Sequence, residues 1–306
     1  MNINSSHSHS SDRALVLAGA GAAGNAWQLG LIAGLADAGV DLTEAELIVG
    51  TSAGATVAAQ ITSGTQPADL YAAILAAGSQ QPQPPRAGSA GSLRRPGPTL
   101  NGQSYLEWSD GIIAASEDAA AMRRAMGSAA LERDTSDGAD AARWRTVVEA
   151  RLPRHEWPEQ RVLIAAVDAR TGEPVVFARH SGIDLVDAVA ASTSAMTPYW
   201  IGENRYLNGG YRRSSNTDLA AGYGRVLVLD PFSGRSRHPL GWGMDLETQV
   251  AELRAAGSAV ETVFPDAGAG DVFNANALDP STRVPAAQGG YRQGQAFAGQ
   301  LNDFWR

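Results

Sequence analysis

A chain of 306 residues with 44% hydrophobic content is long enough to bury a sizeable core, and its formal net charge of −8 argues against a nucleic-acid partner, which needs a basic face to displace counterions. Cysteine is absent and all 24 basic residues are arginine, so disulfides, thiolate nucleophiles, cysteine-held metals, lysine Schiff bases and lysine-bearing phosphate loops are excluded. No run approaches the roughly 18 apolar residues of a membrane span, and the polar residues 1–12 read as a disordered leader and not a signal peptide, so a cytoplasmic protein is expected.

In chain order, residues 13–18 form a short apolar run ended by glycines. The spacing of Trp27, Leu31, Leu35 and Ala38 then predicts a helix over 24–38. A second buried strand at 46–50 leads into a helix from about Ala53 until Gly64. Two strand-turn-helix units in succession predict an α/β fold with three layers, α/β/α, around a mostly parallel central sheet.

Residues 78–103 are rich in Pro, Gly, Ser and Gln and read as an insertion, either a lid or a surface loop. Ala-rich stretches at about 104–127 and 138–152 predict two helices. Strands follow at 161–169 and 174–180, joined by a hairpin through Thr171, Gly172 and Glu173. Residues 183–191 read as a helix, 203–210 as a short strand running into a turn, 224–230 as a buried strand and 244–257 as a helix. The stretch 288–306 reads as a polar, weakly amphipathic helix that docks on the domain or mediates self-association. The core signals on both sides of the insertion belong to one domain over 13–306, without internal repeats.

Gly19, Gly21 and Gly24 have the spacing of a dinucleotide loop, G-x-G-x-x-G. That reading requires an acidic residue at the end of the next strand to hold a ribose. Here the strand ends in Gly50-Thr51-Ser52, and Asp37, Asp41, Glu44 and Glu46 all lie before its carboxyl end, so the nucleotide reading is set aside and no cofactor is expected. Gly50 to Gly54 instead fit G-x-S-x-G between a strand and a helix, the setting of a nucleophile elbow that lifts Ser52 out of the sheet. The helix starting at Ala53 directs its N-terminal N–H groups toward developing negative charge. The first glycine loop then gains a second use, as a nest of N–H donors for an oxyanion, each worth roughly 2.7–4 kcal/mol.

A serine hydroxyl needs a base. Of the five histidines, His7 and His9 fall in the leader, His155 and His180 have no motif context, and His238, after a strand, is the candidate for a Ser-Asp-His triad. The order of three pieces resembles the patatin-like phospholipase family: the loop Gly19 to Gly24, the elbow Gly50 to Gly54, and "YLNGGYRRSSNTDLA" at 206–220, with "DAVAASTSAMTPYW" leading into the third. The resemblance implies a Ser–Asp dyad without histidine, with Ser52 as nucleophile, position 208 as general base and acid, and Gly19, Ala20, Gly21 and Ala53 as oxyanion donors. It implies lipid or other acyl esters as substrates, hydrolysis or acyl transfer as the reaction, transient contact with a membrane surface, and no metal.

The chain departs from the family pattern in three places. Ala20 stands where the family's loop has glycine and Ala23 where it often has a basic residue. Asn208 stands where the dyad aspartate belongs, and an amide cannot take the serine proton. Three explanations stay open for Asn208: an engineered isosteric replacement that disables the enzyme, a natural variant with another base, or a non-catalytic acyl-binding module. Asn208-Gly209 is also a pair prone to deamidation. Asp218 and Asp230 are the next carboxylates after Asn208 and read as a helix N-terminal residue and a strand-end residue. Trp27, Trp108, Trp200, Trp242 and Phe273 are read as core or as lining of an acyl pocket. The oligomeric state is open.

Overall fold

The computed structural model describes residues 13–79 and 102–305. The leader at 1–12 and nearly all of the Pro- and Gly-rich insertion lie outside the described residues. The elements in order are β1 (Arg13–Leu17), α1 (Gly21–Asp37), β2 (Leu47–Gly50), α2 (Ala53–Ile61), α3 (Pro67–Ser79), α4 (Gly102–Ala114), α5 (Ala119–Arg133), α6 (Ala139–Glu149), β3 (Arg161–Asp168), β4 (Pro174–Phe177), α7 (Leu185–Thr193), β5 (Tyr199–Ile201), β6 (Asn204–Asn208), β7 (Arg225–Leu229), α8 (Leu246–Ala255), β8 (Ala259–Val263) and α9 (Arg283–Trp305).

One sheet carries all eight strands, in the order β5-β6-β3-β2-β1-β7-β8, with β4 paired to β3. The run from β3 to β8 is parallel, while β4, β5 and β6 pair antiparallel. Side chains alternate between the two faces along each strand. Leu15, Leu17, Ile48, Leu227 and Leu229 therefore enter the core with α1, α2, α7 and α9, while Ala14, Val16, Leu47, Val49, Val226 and Val228 pack on the α8 side. Farther along that second face, Val167 and Leu207 meet Met122 and Met126 of α5 and Ile113 of α4. Helices thus cover both faces, and the expected α/β/α layering is observed.

Helix α1 is buried almost all round, from Ala23 to Leu35, because it lies between the sheet and α9. A helix apolar on every side needs such a double cover. The cover comes from α9, which docks on the domain along α1 and is longer than the sequence pattern predicts, starting at Arg283.

Some elements differ from expectation. The helical stretch at 104–127 is two helices, because the polar run Ser116-Glu117-Asp118 breaks it and Asp118 caps α5 through the Ala121 N–H at 2.7 Å. Helix α3 and strands β5 and β8 are additional elements, and α3 and α4 extend to Ser79 and Gly102, into the edges of the predicted insertion.

Candidate active site

The register of the sheet decides which loops meet. Leu17 pairs with Gly50, so Gly19 and Ser52 each stand two residues beyond one rung at the carboxyl edge. Strand β3 has only two edges to share. Both β4 and β6 pair with Ala166 and Val167, so they lie on opposite edges; both β2 and β4 pair with Ile164, so β2 lies opposite β4 as well. It follows that β2 and β6 occupy the same edge of β3 head to head. Their carboxyl ends, Gly50 and Asn208, point toward each other. Residues 156 positions apart in sequence are brought together by this convergence.

Ser52 sits on a strained turn, with φ 53° and ψ −118°, a conformation that costs of order 1–3 kcal/mol and persists only when its surroundings enforce it. Two glycines allow it. A Cβ on Gly54 would collide with the Leu17 carbonyl oxygen of β1, so the elbow helix starts hard against the central strand. A Cβ on Gly19 would stand 2.8 Å from the Ser52 Cβ and 3.5 Å from its Oγ, which puts the backbone of the first loop directly against the serine side chain.

The Ser52 hydroxyl meets Asn208 Nδ2 at 2.9 Å. Asn208 Oδ1 accepts the Gly210 N–H, also at 2.9 Å, and this settles which end of the amide faces the serine. The amide therefore donates into an Oγ lone pair where a carboxylate would accept the hydroxyl proton. Backbone N–H groups of Gly19, Ala20, Gly21 and Ala53 have no hydrogen-bond partner among the described residues. Ala53 is the first residue of α2, so its free N–H stands at the positive end of a helix dipole. By contrast, the Ser52 N–H is used: it donates to Ser192 Oγ of the buried face of α7 at 2.9 Å.

The other candidates separate from this cluster. His238 makes no hydrogen bond with Ser52; its ring packs 6.3 Å from that of Trp242, and its buried Nδ1 has no partner among the described residues. Burial, followed by the nearby Arg237, pushes the imidazole down to about 4, so it is neutral at pH 7. Asp218 lies in a short 3₁₀ turn over Thr217–Ala220 and is held bidentately by Arg212 at 2.7 and 2.9 Å. Trp27 is fully buried and donates to Gln293, with Phe273 edge-on to it at 6.2 Å; both are core. Trp200 donates to Asp134 under the Arg205 guanidinium. Trp242, with Met244 and Arg212, lines a cavity of about 440 Å³, and Trp108 packs beside α5.

Asp230, at the end of β7, is 5% exposed, and burial raises its carboxyl to about 6 despite the Phe232 N–H donated to it at 2.8 Å. A folded value above the unfolded one of ~3.9 means that its stabilising contribution is complete below that lower value and is lost as pH rises through 6. Asp230→Asn keeps the acceptor and removes the titration. The variant is expected to gain about 2 kcal/mol over the parent between pH 4 and pH 8 in urea unfolding; a gap that stays constant with pH contradicts this assignment.

Ser192 and Asn216, which touch Ser52 or its neighbours, carry no motif that marks them. Their roles come from tertiary placement: Ser192 on the buried face of α7, and Asn216 at a left-handed position with φ 57°.

No curated protein sequence matches the chain. Among solved structures, it is similar to VipD from Legionella pneumophila, at 12% identity and a TM-score of 0.44, with 95% of this chain and 67% of that one covered. It is also similar to the type III effector protein ExoU, at 12% identity and a TM-score of 0.34, with 93% and 53% covered. Among the described residues no helix is long and apolar enough to cross a membrane. The family model described as patatin-like phospholipase matches residues 15–221, roughly two-thirds of the chain, and spans the glycine loop, the elbow and the Asn208 turn. On that match, the chain belongs to the patatin-like phospholipase family.

Proposed function

We propose that the scaffold is that of a serine acyl hydrolase acting on lipid or related acyl esters, with Ser52 as nucleophile and position 208 as the site of the general base and acid. The observation that carries the reading is the 2.9 Å contact between Ser52 Oγ and the side chain at 208, made from a strained elbow, with the N–H groups of Gly19, Ala20, Gly21 and Ala53 unpartnered among the described residues. In the reaction, Ser52 Oγ attacks the ester carbonyl as its proton passes to a carboxylate at 208. The oxyanion takes hydrogen bonds from Gly19, Ala20, Gly21 and Ala53, and collapse expels the alcohol carrying that proton. Water, or another acceptor alcohol in an acyl transfer, then releases the acyl group from Ser52. Lipid substrates bring the chain into transient contact with a membrane surface, and the reaction on Ser52 calls for no cofactor or metal.

Asn208 interrupts the proton transfer, and the same residue favours a second reading: an acyl-binding module that holds its ligand without turnover. Intact-mass analysis after incubation with short- and long-chain nitrophenyl esters separates the two. An acyl adduct on Ser52, or turnover by Asn208→Asp that Ser52→Ala abolishes, is expected. Tight ligand binding with no adduct and no turnover in either form makes the binding module the correct reading.

A further inference from the structure

Ser52 and Asn208 stand on separate turns, and one hydrogen bond between two such side chains is too weak by itself to fix their spacing. A third side chain grips the neighbour of each. Asn216 Nδ2 donates to Thr51 Oγ1 at 2.9 Å and to the Gly209 carbonyl at 3.0 Å. Thr51 precedes Ser52 and Gly209 follows Asn208, so a single amide group ties the elbow to the opposing turn.

The direction of that amide is fixed from its other end. Arg212 Nη1 donates to Asn216 Oδ1 at 2.8 Å, leaving the two Nδ2 protons for Thr51 and Gly209. Arg212 is itself held by Asp218, in a bidentate pair that is geometrically stiff. Thr51 sends its own proton to the Ser215 carbonyl at 3.2 Å, so its oxygen is available as an acceptor. Thr51 and Asn216 are both 0% exposed, which keeps water from competing for these bonds. Asn216 holds a left-handed backbone that asparagine tolerates better than most residues with a Cβ.

We infer that Asn216 is a positioning residue: braced by Arg212, it clamps the Ser52 elbow to the turn of residue 208 and sets the distance across which the serine proton moves. The inference rests on the reading of Ser52 and position 208 as a dyad and adds the element that holds the dyad in register. Asn216 acts through Thr51 and Gly209 and makes no hydrogen bond to either dyad side chain.

The test uses the full chain carrying Asn208→Asp as parent. Asn216→Gly keeps the left-handed backbone and removes both donors. It is expected to lower kcat on the order of 10²-fold with KM within about twofold, since a displacement of about 1 Å costs that much. Thr51→Val is expected to act in the same direction, while Thr51→Ser, which keeps the hydroxyl, restores kcat to within about threefold. A residue needed only for folding lowers the melting temperature without splitting kcat from KM and without rescue by the conservative change.

A second readout does not depend on turnover. NMR titration of the new carboxylate at position 208 is expected to move upward by about half a unit or more on Asn216→Gly, because the carboxylate loses the serine hydroxyl as donor. An unchanged titration, or an unchanged kcat in a parent that turns over, overturns the clamp. A parent that hydrolyses nothing overturns the hydrolase reading instead, and the titration still decides the clamp.

Discussion

Asn208→Asp is expected to raise kcat/KM for a short-chain nitrophenyl ester by about 10³-fold, the middle of the range that a positioned general base contributes. The geometry needs no adjustment for this. Oδ1 of residue 208 already accepts the Gly210 N–H, and the second terminal atom already lies 2.9 Å from Ser52 Oγ. Exchanging that nitrogen for oxygen changes a donor into an acceptor at constant shape. In the present chain the amide proton occupies an Oγ lone pair, which lowers the nucleophilicity of the oxygen and leaves its hydroxyl proton without a base at 208. The rate of the variant is expected to rise from acid pH to a plateau as the new carboxylate ionises, and Ser52→Ala in the same background is expected to abolish it. No gain in hydrolysis, or a gain that survives Ser52→Ala, contradicts the assignment of the dyad. Freshly purified protein is needed for the baseline, because Asn208-Gly209 is a pair prone to deamidation, and deamidation places a carboxylate at the same position.

The parts of this site that were legible in the sequence are those in which local chemistry and long-range placement coincide. The G-x-S-x-G turn between a buried strand and a helix is a backbone requirement written into adjacent residues, and so is the glycine loop after β1. Their adjacency follows from two consecutive parallel strands, and the register of Leu17 with Gly50 bears it out. Asn208 was recognisable only through its resemblance to a known motif, since the head-to-head meeting of β2 and β6 depends on how β3 shares its edges. Ser192, Thr51 and Asn216 were not legible for the same reason: a serine on an Ala-rich helix or an asparagine in a turn acquires its partner only from the tertiary fold. Helix α3 buries little beyond Pro67, Leu70 and Ile74, so its apolar stripe is narrow, and β5 has only three residues. The polarity of α9 hid its importance, because it docks through glycines and not through a broad apolar face.

That docking gives Gly290→Val a large expected cost to stability, away from the candidate site. A Cβ at Gly290 would collide with the Trp27 carbonyl oxygen of α1, and one at Gly294 with that of Leu31; from the other side, Gly30 faces the Ala287 carbonyl and Gly34 the Tyr291 carbonyl. On each helix the two glycines are four residues apart, so a single ridge of bare backbone runs along the contact and the helices approach closely over two turns. Backbone cannot yield as the end of a flexible side chain does. The two helices must separate, and separation pulls Gln293 away from the Trp27 Nε1–H at 3.0 Å. Overpacking of this kind costs about 3 kcal/mol, to be read as a lowered urea midpoint. Gly299 provides the contrast within the same helix: it is exposed, and a Cβ there meets nothing within 4 Å. Gly299→Ala is expected to stabilise the protein by roughly 0.5–1 kcal/mol through helix propensity alone. If the two substitutions shift the midpoint in the same direction, α9 is held by something other than this glycine contact. If they oppose each other, the glycines of α9 serve two physical ends, close approach at 290 and 294 and no packing role at 299.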